Sequence, residues 1–267
     1  SLSGDNVPIG FDPKRIAQIV MVQDINLALK QRSSVVQVQI PGLNFELVIP
    51  SESLEILRNE IVQTSLNYFD FKGTAGIDST TGLPYDHTNV GGSFPSGFRY
   101  TQPTLIGFYL QILGDAASGN INWQGKTRAE ILSQILKVVT TLENLQDTLG
   151  WNGLFSFINL ENPSSPTRFG STVGLGDNAG LAQSMAVMVG ALQGANLTAT
   201  NTTAAQIAAK VEAILKKQKN GFARFVVDGA FKGHVDASTG QFSNYSNDRL
   251  MSEFRGAIAF LRAIFPD

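Results

Sequence analysis

The chain has 267 residues, of which 43% are hydrophobic and only 16% charged, against roughly 25% charged residues in ordinary soluble domains. Its 20 basic and 22 acidic side chains leave a net charge of -2, which argues against nucleic-acid binding, where affinity rests on a concentrated basic face. Cysteine is absent and histidine occurs only as His87 and His234, so disulfides, thiolate chemistry and multi-histidine metal sites are excluded and no metal or organic cofactor is expected. No apolar run approaches the roughly 18 residues of a membrane span. Low charge with abundant Gly, Ser, Thr and Asn suits a secreted or periplasmic bacterial protein.

Helical periodicity dominates the chain. Pro13–Arg32 places Ile16, Ile19, Val20, Ile25 and Leu29 at helical spacing. Val35–Ile40 and Phe45–Ile49 flank Pro41-Gly42 and read as a β-hairpin. Ser51–Phe71 is helical again. Pro103 opens a third helix at a first-turn position, and Gly114 is expected to close it. Thr127-x-x-Glu130 is a capping box ahead of Ile131, Ile135, Val138, Leu142 and Leu145. A fifth helix is expected from Asn178 to Leu192. A sixth opens with Thr203-x-x-Gln206, a second capping-box pattern, and ends at the run Lys216-Lys217-Gln218-Lys219, where cations meet the negative end of the dipole. Phe222–Val227 and Phe231–Val235 flank Asp228-Gly229 as a second hairpin. The seventh helix spans about Asn247–Ile264.

Long polar segments join these helices: Gly73–Gln102, Ser118–Lys126, Trp151–Gly176 and Gln218–Ser246. They exceed the connections usual in helical bundles, and such loops tend to carry function. No charge-rich or Pro-rich linker interrupts the chain, so residues 1–267 read as one domain. Phosphate loops and serine nucleophile elbows are absent, which disfavours nucleotide and serine-hydrolase chemistry.

Four segments, in order, resemble blocks of one enzyme family. Tyr68–Asp86 leads into GLPYDH, and Thr101-Gln-Pro-Thr-Leu-Ile-Gly-Phe-Tyr-Leu110 follows as a helix entry. Gly153–Ser171 pairs with Gly174–Met188, which carries Gly176-Asp177-Asn178. Gly233–Arg262 contains Ser252-Glu253-Phe254-Arg255. Together they are similar to the glucoamylase-like α/α-toroid superfamily, which includes bacterial β-1,2-glucanases and the glucan-processing domain of cyclic β-1,2-glucan synthases. The resemblance implies an all-α fold: an (α/α) toroid or half-toroid of antiparallel helix hairpins with small β-hairpin insertions, its long loops opening at one end. The family's ring has more helices than the seven found here. The chain is therefore expected to be an N-terminal half whose apolar faces need a second chain or a C-terminal continuation, or else a shortened relative.

Glycosidic cleavage needs two carboxyl groups, one to protonate the leaving oxygen and one to activate water or attack. By resemblance the general acid is Glu253, with either Asp177 or a residue of the missing half as its partner and inversion as the stereochemical course. Arg249, four residues before Glu253, offers a structural ion pair instead. From spacing alone Asp177 is the N-cap of the fifth helix. Asp86, Arg99, Tyr100, Phe155, Tyr245 and Arg255 are candidates to bind an oligo- or polysaccharide. Asp236 and Asp248 read as turn residues. The loop aromatics, Trp123 and Trp151 among them, either stack on sugar rings or pack the loops onto helix ends. The expected function is glycoside hydrolysis of a β-glucan or another bacterial polysaccharide. The alternative is a non-catalytic carbohydrate-binding or assembly protein on the same scaffold.

Overall fold

The computed structural model describes residues 51–73, 76–88 and 98–245, together with the strands 35–40 and 43–48. The expected helices Pro13–Arg32 and Asn247–Ile264, and with them Asp248, Arg249, Glu253 and Arg255, lie outside the described residues. The chain divides into two compact units, 1–65 and 66–267. In the first, β1 (Val35–Ile40) and β2 (Leu43–Val48) pair antiparallel as the expected hairpin. Helix α1 (Ser51–Leu66) then crosses the boundary and runs into a 3-10 turn, Asn67–Phe69.

The second unit is a helical bilayer with small sheets at one end. Its elements are β3 (Tyr100–Thr101), α2 (Pro103–Ser118), α3 (Arg128–Thr148), β4 (Phe157–Asn159), β5 (Thr167–Phe169) and β6 (Thr172–Gly174). After these come α4 (Leu175–Gly194), the short α5 (Leu197–Thr200), α6 (Thr202–Arg224), β7 (Val226–Val227), β8 (Ala230–Phe231) and β9 (His234–Asp236).

Two pairs of helices run parallel. Along α2 and α4, Thr104 meets Asp177, Gly107 meets Leu181 and Ser184, and Gly114 meets Met188, so both numberings climb together. Along α3 and α6, Glu143 meets Lys210, Gln146 reaches the Ile214 carbonyl and Asp147 meets Lys217. The members of each hairpin are antiparallel: Leu175, Ala179 and Ala182 at the start of α4 share one core with Phe222 at the end of α6 and Phe225 just beyond it. The expectation of antiparallel neighbours thus holds within hairpins and fails between them, as a two-layered (α/α) arrangement requires. Ile106, Leu110, Ile135, Val138, Leu181 and Ile214 fill the interior at 0% exposure.

The closest helix contact, α2 on α4, depends on missing side chains. A Cβ on Gly107 would stand 2.8 Å from Ser184 Oγ and 3.1 Å from Leu181 Cα. One on Gly114 would stand 2.8 Å from Met188 Cγ. Gly114 therefore does not close its helix. Close packing outweighs its poor helix propensity, and α2 continues to Ser118 before Gly119 ends it at φ 92°.

Other boundaries shift for identifiable reasons. Thr127 and Glu130 form the expected capping box on α3. The cap of α6 is Asn201, whose side chain accepts from the Ala204 N–H at 3.1 Å, and the Thr203-x-x-Gln206 pattern lies inside the helix. The lysine run 216–219 does not end α6. Lys216 pairs with Glu212, Lys217 pairs with Asp147, and the helix proceeds to Arg224. Residues 222–224 are accordingly helical, and the second hairpin shrinks to β7 and β8 about Asp228-Gly229, where both φ values are positive.

Replacing Gly107 by alanine is expected to destabilise the protein by about 1–3 kcal/mol, the usual cost of overpacking. At about 2–4 °C per kcal/mol, calorimetry should show the melting temperature fall by roughly 2–12 °C. An unchanged or raised transition would show that α2 and α4 do not approach as described.

Candidate active site

Parallel packing of α2 and α4 sets their N-termini side by side, and the loops converge there. Strand β3 follows the segment that runs from residue 73, and it pairs with β4 in the segment between α3 and α4 (Tyr100↔Asn159, Thr101↔Ile158). Strand β4 pairs in turn with β5, and β6 pairs with β9 beyond α6. The described parts of the segments 73–102 and 153–176 therefore meet at one end. Arg168, on β5, donates to the Leu149 carbonyl at 2.7 Å and the Gly150 carbonyl at 3.3 Å, satisfying acceptors at the C-terminus of α3.

Asp177 occupies this end, but not as an N-cap. The N-cap is Gly174, because β6 carries an extended chain as far as that residue and α4 starts at Leu175. Asp177 stands in the first turn instead, where negative charge is favoured by the helix dipole. Its Oδ1 accepts from Thr104 Oγ1, on the first turn of α2, at 2.8 Å. Its Oδ2 folds back over Gly174, where a Cβ would lie 2.6 Å away. The carboxylate is half-buried and reaches from the first turn of α4 to the first turn of α2.

The next residue, Asn178, has no exposed surface. Its Oδ1 accepts from the Phe155 N–H at 2.7 Å, and its Nδ2 donates to the Phe155 and Gly174 carbonyls at 2.8 Å each. Asn178 is what fastens the 149–176 segment to α4. Asparagine in the first turn of an otherwise apolar helix was the available signal, since it is a poor helix former without a local partner.

Asp86 forms the second carboxylate cluster. Tyr100 Oη donates to Oδ2 at 2.9 Å, Gln102 Nε2 donates to Oδ1 at 2.5 Å, and His87 Nδ1 lies 3.4 Å from Oδ2. Gln102 is also the N-cap residue of α2 and makes no cap bond with its side chain. The Asp86 cluster thus rests on the start of α2, as the Asp177 cluster does. Tyr100 stacks on Phe169 at 4.5 Å and on Phe157 at 5.9 Å between ring centroids.

The remaining candidates separate by exposure. Arg99 is exposed, and its backbone N–H donates to Glu161 Oε1 at 3.1 Å. Tyr245 is 55% exposed, and its Oη lies 3.0 Å from His234 Nδ1. Phe155 is 1% exposed. Its ring belongs to the interior, which removes it as a sugar-stacking surface; the clamp by Asn178 draws it in. Trp123, Tyr85 and Trp151 also pack loops: Trp123 against Phe71, Tyr85 onto Asp78 through a 2.9 Å hydrogen bond, and Trp151 against Phe225 and Phe242. Asp236 is the turn residue its sequence suggested. It accepts from Ser238 and Ser171, and the Ser238 bonds hold its pKa down at about 2. Among the described residues no group of His, Cys, Asp and Glu is placed to hold a metal ion, and no helix is long and apolar enough to cross a membrane.

Three solved structures share this fold. An endo-β-1,2-glucanase from Talaromyces funiculosus with sophorose aligns with TM-score 0.62 and 14% identity over 79% of this chain and 48% of its own. A glutamate-to-glutamine mutant of that enzyme with β-1,2-glucan aligns with TM-score 0.64 and 12% identity over 92% and 50%. A protein described as a glucoamylase, from Bacteroides caccae, aligns with TM-score 0.50 and 16% identity over 68% and 42%. The chain thus has the α/α-toroid fold of these structures, and it spans about half the length of each. No family model and no curated protein matches its sequence.

Tyrosines around Asp86 give the site a pH signature. Burial, and then the charge of Asp86, raise the Tyr68 pKa from 10.0 to about 12. Burial, then the bond to Asp86 and its charge, raise that of Tyr100. A raised folded-state pKa means stability is fully present below pH 10 and lost as pH rises through about 12. Denaturant midpoints should therefore fall over that window, and less so in Tyr68→Phe. Tyrosinate absorbance complete near pH 10 with the fold intact would contradict this.

Proposed function

We propose that the chain acts as a glycoside hydrolase on a β-glucan or another bacterial polysaccharide, by carboxylate acid/base chemistry. The observation that carries this is a toroid shared with a glucan-cleaving enzyme, with two carboxylates, Asp177 and the Tyr100-bonded Asp86, at the N-terminal end of its parallel helices. In this reading Glu253 protonates the glycosidic oxygen as the C–O bond breaks. Asp177 serves as the partner carboxylate and takes a proton from water attacking the anomeric carbon from the opposite face, which inverts the configuration. Asp86, Arg99, Tyr100, Tyr245 and Arg255 bind sugar hydroxyls or ring faces. We further take the protein to be exported, and a second chain or a C-terminal continuation to complete the ring.

A second reading, a non-catalytic glycan-binding or assembly scaffold, is favoured by the burial of Phe155, Tyr85 and Trp123 and by the Thr104 bond to Asp177.

Reducing-end release from β-1,2-, β-1,3- and α-linked glucans separates the two. On the glucan that is cleaved, Glu253→Gln should lower turnover by about 10²–10⁴ while binding survives. Full activity in that variant would remove Glu253 from the chemistry. Binding without cleavage by the wild type would favour the scaffold reading.

A further inference from the structure

Helix α4 has two sides with different fates. Leu181, Ser184 and Met188 meet the glycines of α2. Ala186, Val189, Gly190 and Gln193 fall on the opposite side, as a period of about 3.6 residues requires. The first turns of that side are covered, since Ala179 and Ala182 share a core with Phe222, Phe225 and Val235. From Ala186 onward the cover stops. Ala186 and Val189 there line a groove of about 660 Å³ together with Val211 and Leu215 of α6. A Cβ on Gly190 or Gly194 would meet nothing within 4 Å among the described residues.

The described chain ends at the head of this groove. Strand β9 sets His234 opposite Gly174. The Leu175 N–H donates to the Gly233 carbonyl at 3.0 Å, and the Gly233 N–H donates to the Tyr245 carbonyl at 3.3 Å. The backbone at Tyr245 is thereby tied beside the first residue of α4, and residues 246–267 continue from there. In that stretch Leu250, Phe254, Ile258, Leu261 and Phe265 recur every three or four residues, the spacing of one helix face. The helix expected over Asn247–Ile264 would be about 27 Å long, against about 30 Å for the 20 residues of α4.

We propose that residues 247–264 of the chain itself seat in this groove as a helix parallel to α4, with that apolar face on Ala186, Val189, Val211 and Leu215. A tethered segment outcompetes a separate partner, because a short linker gives it an effective concentration on the order of millimolar. Parallel seating repeats the relation of α2 to α4, and Gly190 leaves room for the close approach that Gly107 allows on the other side. The seat does not depend on what the protein acts on. On the hydrolase reading it also brings Glu253, about two turns into the seated helix, to the end of α4 that holds Asp177.

Because the chain has no cysteine, disulfide trapping in the full chain tests the seat. Residue 261 lies as far beyond 247 as residue 189 lies beyond 175. Val189→Cys with Leu261→Cys should therefore oxidise to a linked monomer, a faster band on a non-reducing gel. Ile258→Cys and Phe265→Cys, each about one turn away, bracket that register. Leu250→Cys, about three turns nearer the start, should stay unlinked to Val189→Cys. Linked dimers would overturn the proposal by giving the groove to a second copy. No link, or a link through Leu250→Cys alone, would overturn it too. A single-thiol measurement stands apart from the folding of the double variants: Val189→Cys should react with an aqueous thiol reagent more slowly than Val187→Cys, at a position 50% exposed on the same helix. Equal rates would show the groove open and remove the seat.

Discussion

Ser184 packs onto Gly107 with no room for a Cβ between them, and much of the molecule follows from that contact. Because the backbones of α2 and α4 come this close, their first turns lie side by side and Thr104 can reach Asp177. Two parallel helices also place like partial charges together at each end. At the N-terminal end carboxylates offset this: Asp177 within α4, and Asp86 through the N-cap residue of α2. Packing in the interior and acidity at the rim are thus linked by geometry.

The loops at that end are ordered by short-range bonds more than by sheet propensity. Asn178 fastens one segment to α4, Arg168 closes the end of α3, and strands of two or three residues tie the loops together. Such strands are too short to be stable alone. They form because the helices have already brought their ends together.

This explains which parts were legible in the sequence. Helices declare themselves through local signals, and the Thr127–Glu130 box and the apolar spacing of α3 stand where the periodicity placed them. Gly114 was misleading because a glycine that ends a helix and one that admits a neighbouring helix look alike in a single chain. Asp177 read as a cap because the pairing of β6 with β9, which carries the extended chain to Gly174, is a contact across about sixty residues. The site was legible only in part. Asp86 and Tyr100 were each singled out, but their bond and the ring stack behind Tyr100 come from tertiary pairing. Phe155 was a plausible surface ring until the Asn178 clamp placed it inside.

Sugar recognition is proposed for the end where α2 and α4 begin. Backbone chemical-shift mapping during titration with a β-1,2-glucan oligosaccharide addresses that most directly. Perturbations should gather at Asp86, Tyr100, Phe169 and Asp177 and leave the opposite turns, around Asn120 and Leu197, unmoved. Perturbations gathered at Asn120 and Leu197 instead would contradict the account.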